Sequence, residues 1–156
     1  MAAVKSSNSK KSQQSLNAGA KEESAKDLMI VFKSKAPKMS PKSKGFIQYQ
    51  LVKDKKDRLF IQLLSNTSGG IFSKELINLT LITTALKKLP ANRPFKSSSL
   101  KEVFTGKGAK SANNPSFLAA VLRSKNLGLI VPDAKSQFLS QLSPDFDDKL
   151  KQLMKN

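Results

Sequence analysis

At 156 residues, with 38% hydrophobic content, the chain has the length of one ordinary domain and enough apolar side chains for a core. Its 28 Lys and Arg stand against 11 Asp and Glu, a net charge of +17 that exceeds what solubility requires and points to a polyanionic partner. The absence of Cys, His and Trp excludes disulfides, thiolate chemistry, the usual zinc sites and catalytic devices built on imidazole, and no enzyme is expected. Lys outnumbers Arg 25 to 3. An AT-rich codon bias would explain that ratio but not the shortage of acids.

No cofactor or metal is expected. There is no G-x-x-x-x-G-K-[ST] phosphate loop, and Gly106-Lys107-Gly108 alone carries little specificity. Asp145, Asp147 and Asp148 follow Ser143-Pro144, where acids in a first helical turn complement the helix dipole. No run approaches the roughly 18 apolar residues of a membrane span, and the first residues lack the apolar region of a signal peptide. A soluble cytoplasmic protein without membrane association is the expectation.

Residues 1–45 are low in complexity and hold 10 Lys against 3 acids. Such a segment buries too little apolar surface to offset its ordering entropy, which predicts a disordered basic arm. Leu28 to Phe32 interrupts it with a five-residue apolar run, either an edge strand added to the domain or a segment that orders on a partner. Pro37 and Pro41 then favour an extended linker. From Phe46 to Leu64 the pattern becomes β, with alternation in FIQYQLV, a nearly continuous apolar run in RLFIQLL and DKKD as the turn between them. Ser65 to Gly70 reads as a flexible loop.

Ser73 looks like an N-cap, with Glu75 in the first turn and Lys87 and Lys88 in the last. Leu76, Leu79, Ile82, Leu86 and Leu89 recur at helical spacing, widened by Ile77, Leu81 and Ala85, so this helix is expected to be the spine of the core. Next comes SSLKEVFTGKGAKSANNPSFLAAVLRSKNLGLIV, Ser98 to Val131. Ser99 and Glu102 have capping-box spacing, which predicts a short helix from Leu100 with Leu100, Val103 and Phe104 inward. Gly106 and Gly108 break it, and a second helix restarts with Asn114 as cap and Pro115 at the first helical position. Phe117, Leu118, Val121 and Leu122 form its buried face. Ser116, Ala120 and Arg123 form the opposite stripe, either an ordinary solvated face or one small and basic enough to enter a nucleic-acid groove. Leu127 to Val131 is an apolar run closed by Pro132. From Asp133 onward the residues read as helix, with Phe138, Leu139 and Leu142, and another helix restarts at Ser143-Pro144 with Phe146, Leu150 and Leu153.

The order of a capped helix, a basic glycine loop, a longer helix and a short apolar strand resembles a winged helix-turn-helix nucleic-acid-binding domain. The resemblance is to the superfamily pattern and covers about a third of the chain. It implies an α+β fold, a β-hairpin packed on a trihelical core with C-terminal helices, spanning residues 46–153 behind the basic arm of residues 1–45. No second wing strand is evident, and the upstream hairpin could take that place by pairing with residues 129–131. The implied interface comprises Arg93, Lys96, Lys101, Lys107, Lys110, Asn113, Ser116, Ala120, Arg123 and Lys125, within a window holding seven basic residues and one acid. Lysine is a point charge, whereas arginine makes the bidentate contacts that read guanine, so phosphate contact with modest selectivity is expected. The expected partner is nucleic acid, duplex DNA before RNA. An adaptor for an acidic protein is the alternative from another class, and oligomeric state is left open.

Overall fold

Alternation of apolar and polar residues builds the first layer. The computed structural model describes residues 28–40, 44–67, 72–90, 93–106, 111 and 113–155. In it, β1 (Met29–Pro37), β2 (Phe46–Lys53), β3 (Leu59–Asn66) and the short β4 (Ile77–Asn78) form an antiparallel sheet in the order β1-β2-β3-β4. Ile47, Tyr49, Leu51, Ile61 and Leu63 fill its inner face, as period-2 geometry requires, and Tyr49 sits opposite Leu63 and Leu51 opposite Ile61. The hairpin expected from residues 46–64 is β2 and β3.

Its turn is tighter than four exposed charges would suggest. The buried Asp54 carboxylate accepts the N–H groups of Lys56 (3.0 Å) and Arg58 (2.8 Å) and the Arg58 Nε at 2.7 Å. Asp57 takes the left-handed conformation (φ 64°), which an aspartate tolerates. Burial pushes the Asp54 carboxyl up, but the Arg58 and Lys56 hydrogen bonds and the Arg58 charge outweigh it and hold its pKa below the ordinary value.

The apolar run at Leu28–Phe32 belongs to an edge strand, and that strand continues through Lys-Ser-Lys-Ala. Lys33 and Lys35 face solvent while Ala36 is buried, so a stretch polar in composition still has one inward face. Regular structure is therefore present N-terminal to Phe46, from Met29. Residues 1–27 of the expected arm lie outside the described residues, as does Pro41.

The second layer follows in chain order: α1 (Leu79–Lys87), β5 (Phe95–Lys96), a 3₁₀ helix (Ser97–Val103), α2 (Asn113–Arg123), β6 (Ile130–Pro132), β7 (Leu139–Leu142) and α3 (Phe146–Met154). Strands β5, β7 and β6 pair antiparallel, in that order across the sheet. One continuous apolar cluster joins both layers. The architecture is mixed α+β.

Several expectations are corrected here. Helix α1 starts at Leu79, capped by Asn78, whose Oδ1 accepts the N–H groups of Thr80 (2.7 Å) and Leu81 (3.4 Å). Ser73 and Glu75 precede it in extended chain because Ile77 pairs with Ile61, and Leu81 is exposed. The short helix is 3₁₀ and begins at Ser97 with no side-chain cap; Leu100 and Val103, three apart, are both buried, which suits three residues per turn. Asp133 onward is not helix, since residues 139–142 form β7. The run at residues 130–132 pairs with β7 rather than with the upstream hairpin. At Gly128 (φ 57°) the left-handed conformation turns the chain from α2 towards β6. The loop expected at residues 65–70 begins later, because Ser65 and Asn66 belong to β3, and residues 68–70 lie outside the described ones.

Ile82 is fully buried, so Ile82→Ala is expected to cost about 2–5 kcal/mol in chemical denaturation, and a loss under about half a kcal/mol would place α1 outside the core. For Asp54 the folded pKa lies below the unfolded value of about 3.9. The stability it contributes is present above that unfolded value and is lost as pH falls through the folded pKa. The stability difference between wild type and Asp54→Asn should accordingly be constant near neutral pH and shrink below about pH 4, as followed by denaturation at a series of pH values.

Candidate nucleic-acid interface

Helix α2 occupies the centre of the molecule. Phe117, Leu118, Val121 and Leu122 are buried as expected, but Ala119 and Ala120 are buried too, at 0% and 2% exposure. The helix packs against the 3₁₀ helix, against β6 and against the inner face of β1 and β2. Ala120, one turn before Ser124 and on the same side of the helix, carries no bulk that would hold the sheet away. Tyr49 and Ser124 share a buried hydrogen bond of 2.6 Å across this contact, and the Ser34 hydroxyl donates to Asn126 Oδ1 at 2.8 Å. Burial raises the Tyr49 phenol pKa, and the bonds from Ser124 and Ser34 pull it back only in part. The expected open stripe of Ser116, Ala120 and Arg123 is therefore corrected: Ala120 faces the protein interior and cannot meet a groove.

Arg123 is engaged within the chain. Its Nη2 donates to the carbonyls of Gln137 (2.7 Å) and Leu139 (3.0 Å) and to Ser140 Oγ (2.8 Å), and its Nε donates to Ser140 Oγ at 3.2 Å. It ties the end of α2 to the turn between β6 and β7. Burial lowers its pKa, yet a guanidinium remains charged, so those carbonyls solvate a retained cation.

At the other end of α2, Ser111 Oγ accepts the Asn113 N–H at 3.3 Å, and the Ser116 hydroxyl donates to the Asn113 carbonyl at 3.1 Å. Asn114 is fully buried inside the helix rather than capping it, and its Oδ1 accepts the Ser73 N–H at 2.8 Å. Glu75 serves the adjacent loop: its carboxylate accepts the Thr105 N–H at 3.0 Å and the Gly106 N–H at 3.1 Å.

Of the remaining expected contacts, Arg93, Lys96, Lys101 and Lys125 are exposed, whereas Lys107 and Lys110 lie outside the described residues. Of the described ones, Arg93, Lys96 and Lys125 are spread over different hollows. Arg93 lines a hollow beside the end of α1 and β7, and Lys125 lies near Lys149 and Gln152 at the far end of α2. Of the expected contacts, Lys96 and Ser116 share a cleft.

Those two line a cleft of about 710 Å³ between the β1–β2 connection and the β6–β7 turn. Lys38, Phe117, Ser136 and Phe138 also line it, and Phe138 is 58% exposed. The Lys38 Nζ lies 5.5 Å from the Phe117 ring centroid, within cation–π range. Sequence reasoning missed Lys38, which it placed in the disordered arm, and Phe138, which it placed on a helix. The signal that could have found the turn is Asp133-Ala134-Lys135-Ser136, polar turn-forming residues between two apolar runs.

Among the described residues no group of three or more Asp, Glu, Cys or His could hold a metal ion, and no helix is long and apolar enough to cross a membrane. Asp145 precedes α3 and pairs loosely with Lys149 at 3.9 Å, while Asp147 and Asp148 sit in the first turn. No family model, curated protein or solved structure matches the chain.

Because Ala120 is enclosed, Ala120→Glu is expected to destabilise the fold by more than the roughly 1–3 kcal/mol of overpacking alone, since it also buries an unpaired charge. A thermal melt like that of wild type would place this side of the helix in solvent.

Proposed function

We propose that the protein binds nucleic acid, chiefly through phosphate contacts made by lysines, with modest sequence selectivity. The observation that carries this is where the charge resides. Residues 1–27 hold five Lys and three acids, a net +2, whereas the described residues hold 20 Lys and Arg against 8 acids, +12 of the +17. Most of the excess thus lies on the described fold, whose surface can meet a polyanion. Each phosphate neutralised releases condensed counterions, and that release drives sequence-independent binding.

The order α1, β5, 3₁₀ helix, α2, β6, β7, with β7 central in its sheet, supports a winged-helix-like reading of this half. The β6–β7 turn then corresponds to the wing. Duplex docking by insertion of α2 is not part of the proposal, because β1 and β2 cover that helix. With Arg123 tied to the turn, bidentate readout of guanine falls to Arg58 and Arg93 at most, which is why selectivity should be low.

Fluorescence anisotropy with duplex DNA, single-stranded DNA and RNA at two salt concentrations tests the proposal. Binding should weaken steeply as salt rises, and removing residues 1–27 should change the salt slope by no more than about two phosphate contacts. No binding at low salt to any of the three would overturn the reading and favour a partner of another class.

A further inference from the structure

Resting on that reading, we infer that the cleft between the β6–β7 turn and the β1–β2 connection holds an unpaired nucleotide, so that the protein prefers single-stranded nucleic acid to duplex. The cleft joins two chemistries. Its floor and wall are largely apolar, with Phe117 below and the ring of Phe138 standing in solvent beside it. Among the described residues its polar part consists of Lys38, Lys96 and several serines, and no acid lines it. A ligand that fits must be flat and apolar in one portion and anionic in another. A nucleotide has both, and about 710 Å³ lies within the usual range of about 300–1,000 Å³ for small-ligand sites. In a duplex the faces of the bases are already stacked on one another, so duplex binding would leave the Phe138 ring uncovered. An unpaired base can stack on it while its phosphates meet the lysines.

The exposure of Phe138 is built in. Three bonds brace the turn that carries it: Ser136 Oγ accepts the Phe138 N–H (3.2 Å), Arg123 holds the Gln137 carbonyl (2.7 Å), and the Asp133 N–H reaches the Leu139 carbonyl (2.8 Å). Asp133 also accepts bonds from the Lys135 N–H and the Gln141 side chain, which, outweighing its slight burial, hold its carboxyl pKa below the ordinary range. A large apolar ring held in water on a braced turn is preorganised for a partner, since little ordering entropy remains to be lost on binding.

The test uses the full chain and a labelled 15-nucleotide oligothymidylate, its duplex with oligoadenylate, and a polyglutamate peptide. Wild type should bind the single strand more tightly than the duplex. Phe138→Ala should weaken single-strand binding roughly 5- to 150-fold, the range for loss of one stacked base, and leave duplex binding nearly unchanged. Phe138→Trp should retain the single-strand affinity. Lys55→Ala, in the hairpin turn away from the cleft, serves as the single-charge reference and should weaken both nucleic acids to a similar, small extent. Because Phe138 is exposed, its variants should melt like wild type, so a changed affinity reads the contact and not the fold. Equal affinity of wild type and Phe138→Ala for the single strand, with binding otherwise intact, overturns this inference and leaves the phosphate-binding proposal standing. Tight polyglutamate binding that depends on Phe138, without oligonucleotide binding, overturns both in favour of an acidic protein partner.

Discussion

The contact between α2 and the inner face of β1 and β2 is the interaction on which the other features depend. It works because the helix offers the small Ala120 on the side that meets the sheet, and because Ser124, just past the helix end, meets Tyr49 at 2.6 Å inside the contact. Phe32 packs edge-on to the Tyr49 ring, 6.1 Å between centroids and 81° between planes, which extends the contact to the edge strand. A buried phenol without a partner would cost about 1–3 kcal/mol, so the serine is as much a packing requirement as the alanine is. With both sides of α2 covered, the sheet and the helical layer share one core.

Three polar side chains then join segments distant in sequence. Glu75 gathers the Thr105 and Gly106 amides, Asn114 holds the Ser73 amide, and Arg123 holds the β6–β7 turn. Each gives a charged or amide partner to loop backbone groups, and of these the Ser73 amide is buried and would otherwise go unpaired. The Glu75 contact leaves little room, since a Cβ on Gly106 would lie 3.2 Å from the carboxylate oxygen. These bonds place the β6–β7 turn across from the β1–β2 connection, and the cleft is the space between them.

This arrangement changes what the positive charge can do. A helix-turn-helix that read a groove would spend its exposed helix face on base edges, but here that face holds the sheet. On the proposed reading, lysines distributed over the remaining surface would attract phosphate without geometric demand, and the cleft that sets Lys38 and Lys96 beside the exposed Phe138 ring would suit a base outside a duplex.

How far the sequence alone could reach follows from the range over which each signal acts. Alternation in residues 46–64, helical spacing in Leu79, Ile82 and Leu86, and the apolar set Phe117, Leu118, Val121 and Leu122 are local, and the elements they imply are present. Of the order of elements on which the winged-helix resemblance rested, a short helix, a longer helix and a short strand are present, the first of them 3₁₀ and without a side-chain cap. Of the cleft, only Lys96 and Ser116 were among the residues singled out. Tertiary structure alone decided that Ala119 and Ala120 are buried, because a small side chain fits a solvated surface and a close-packed one equally well. It also decided that Glu75 and Ser73 brace loops rather than open a helix, and that Arg123 is committed to backbone carbonyls, since those partners lie between 14 and 41 positions away in the chain. Residues 33–36 and 139–142 became strands for the same reason. Their patterns are short and weak, and pairing with β2 in one case and with β5 and β6 in the other supplies the hydrogen bonds that local preference does not.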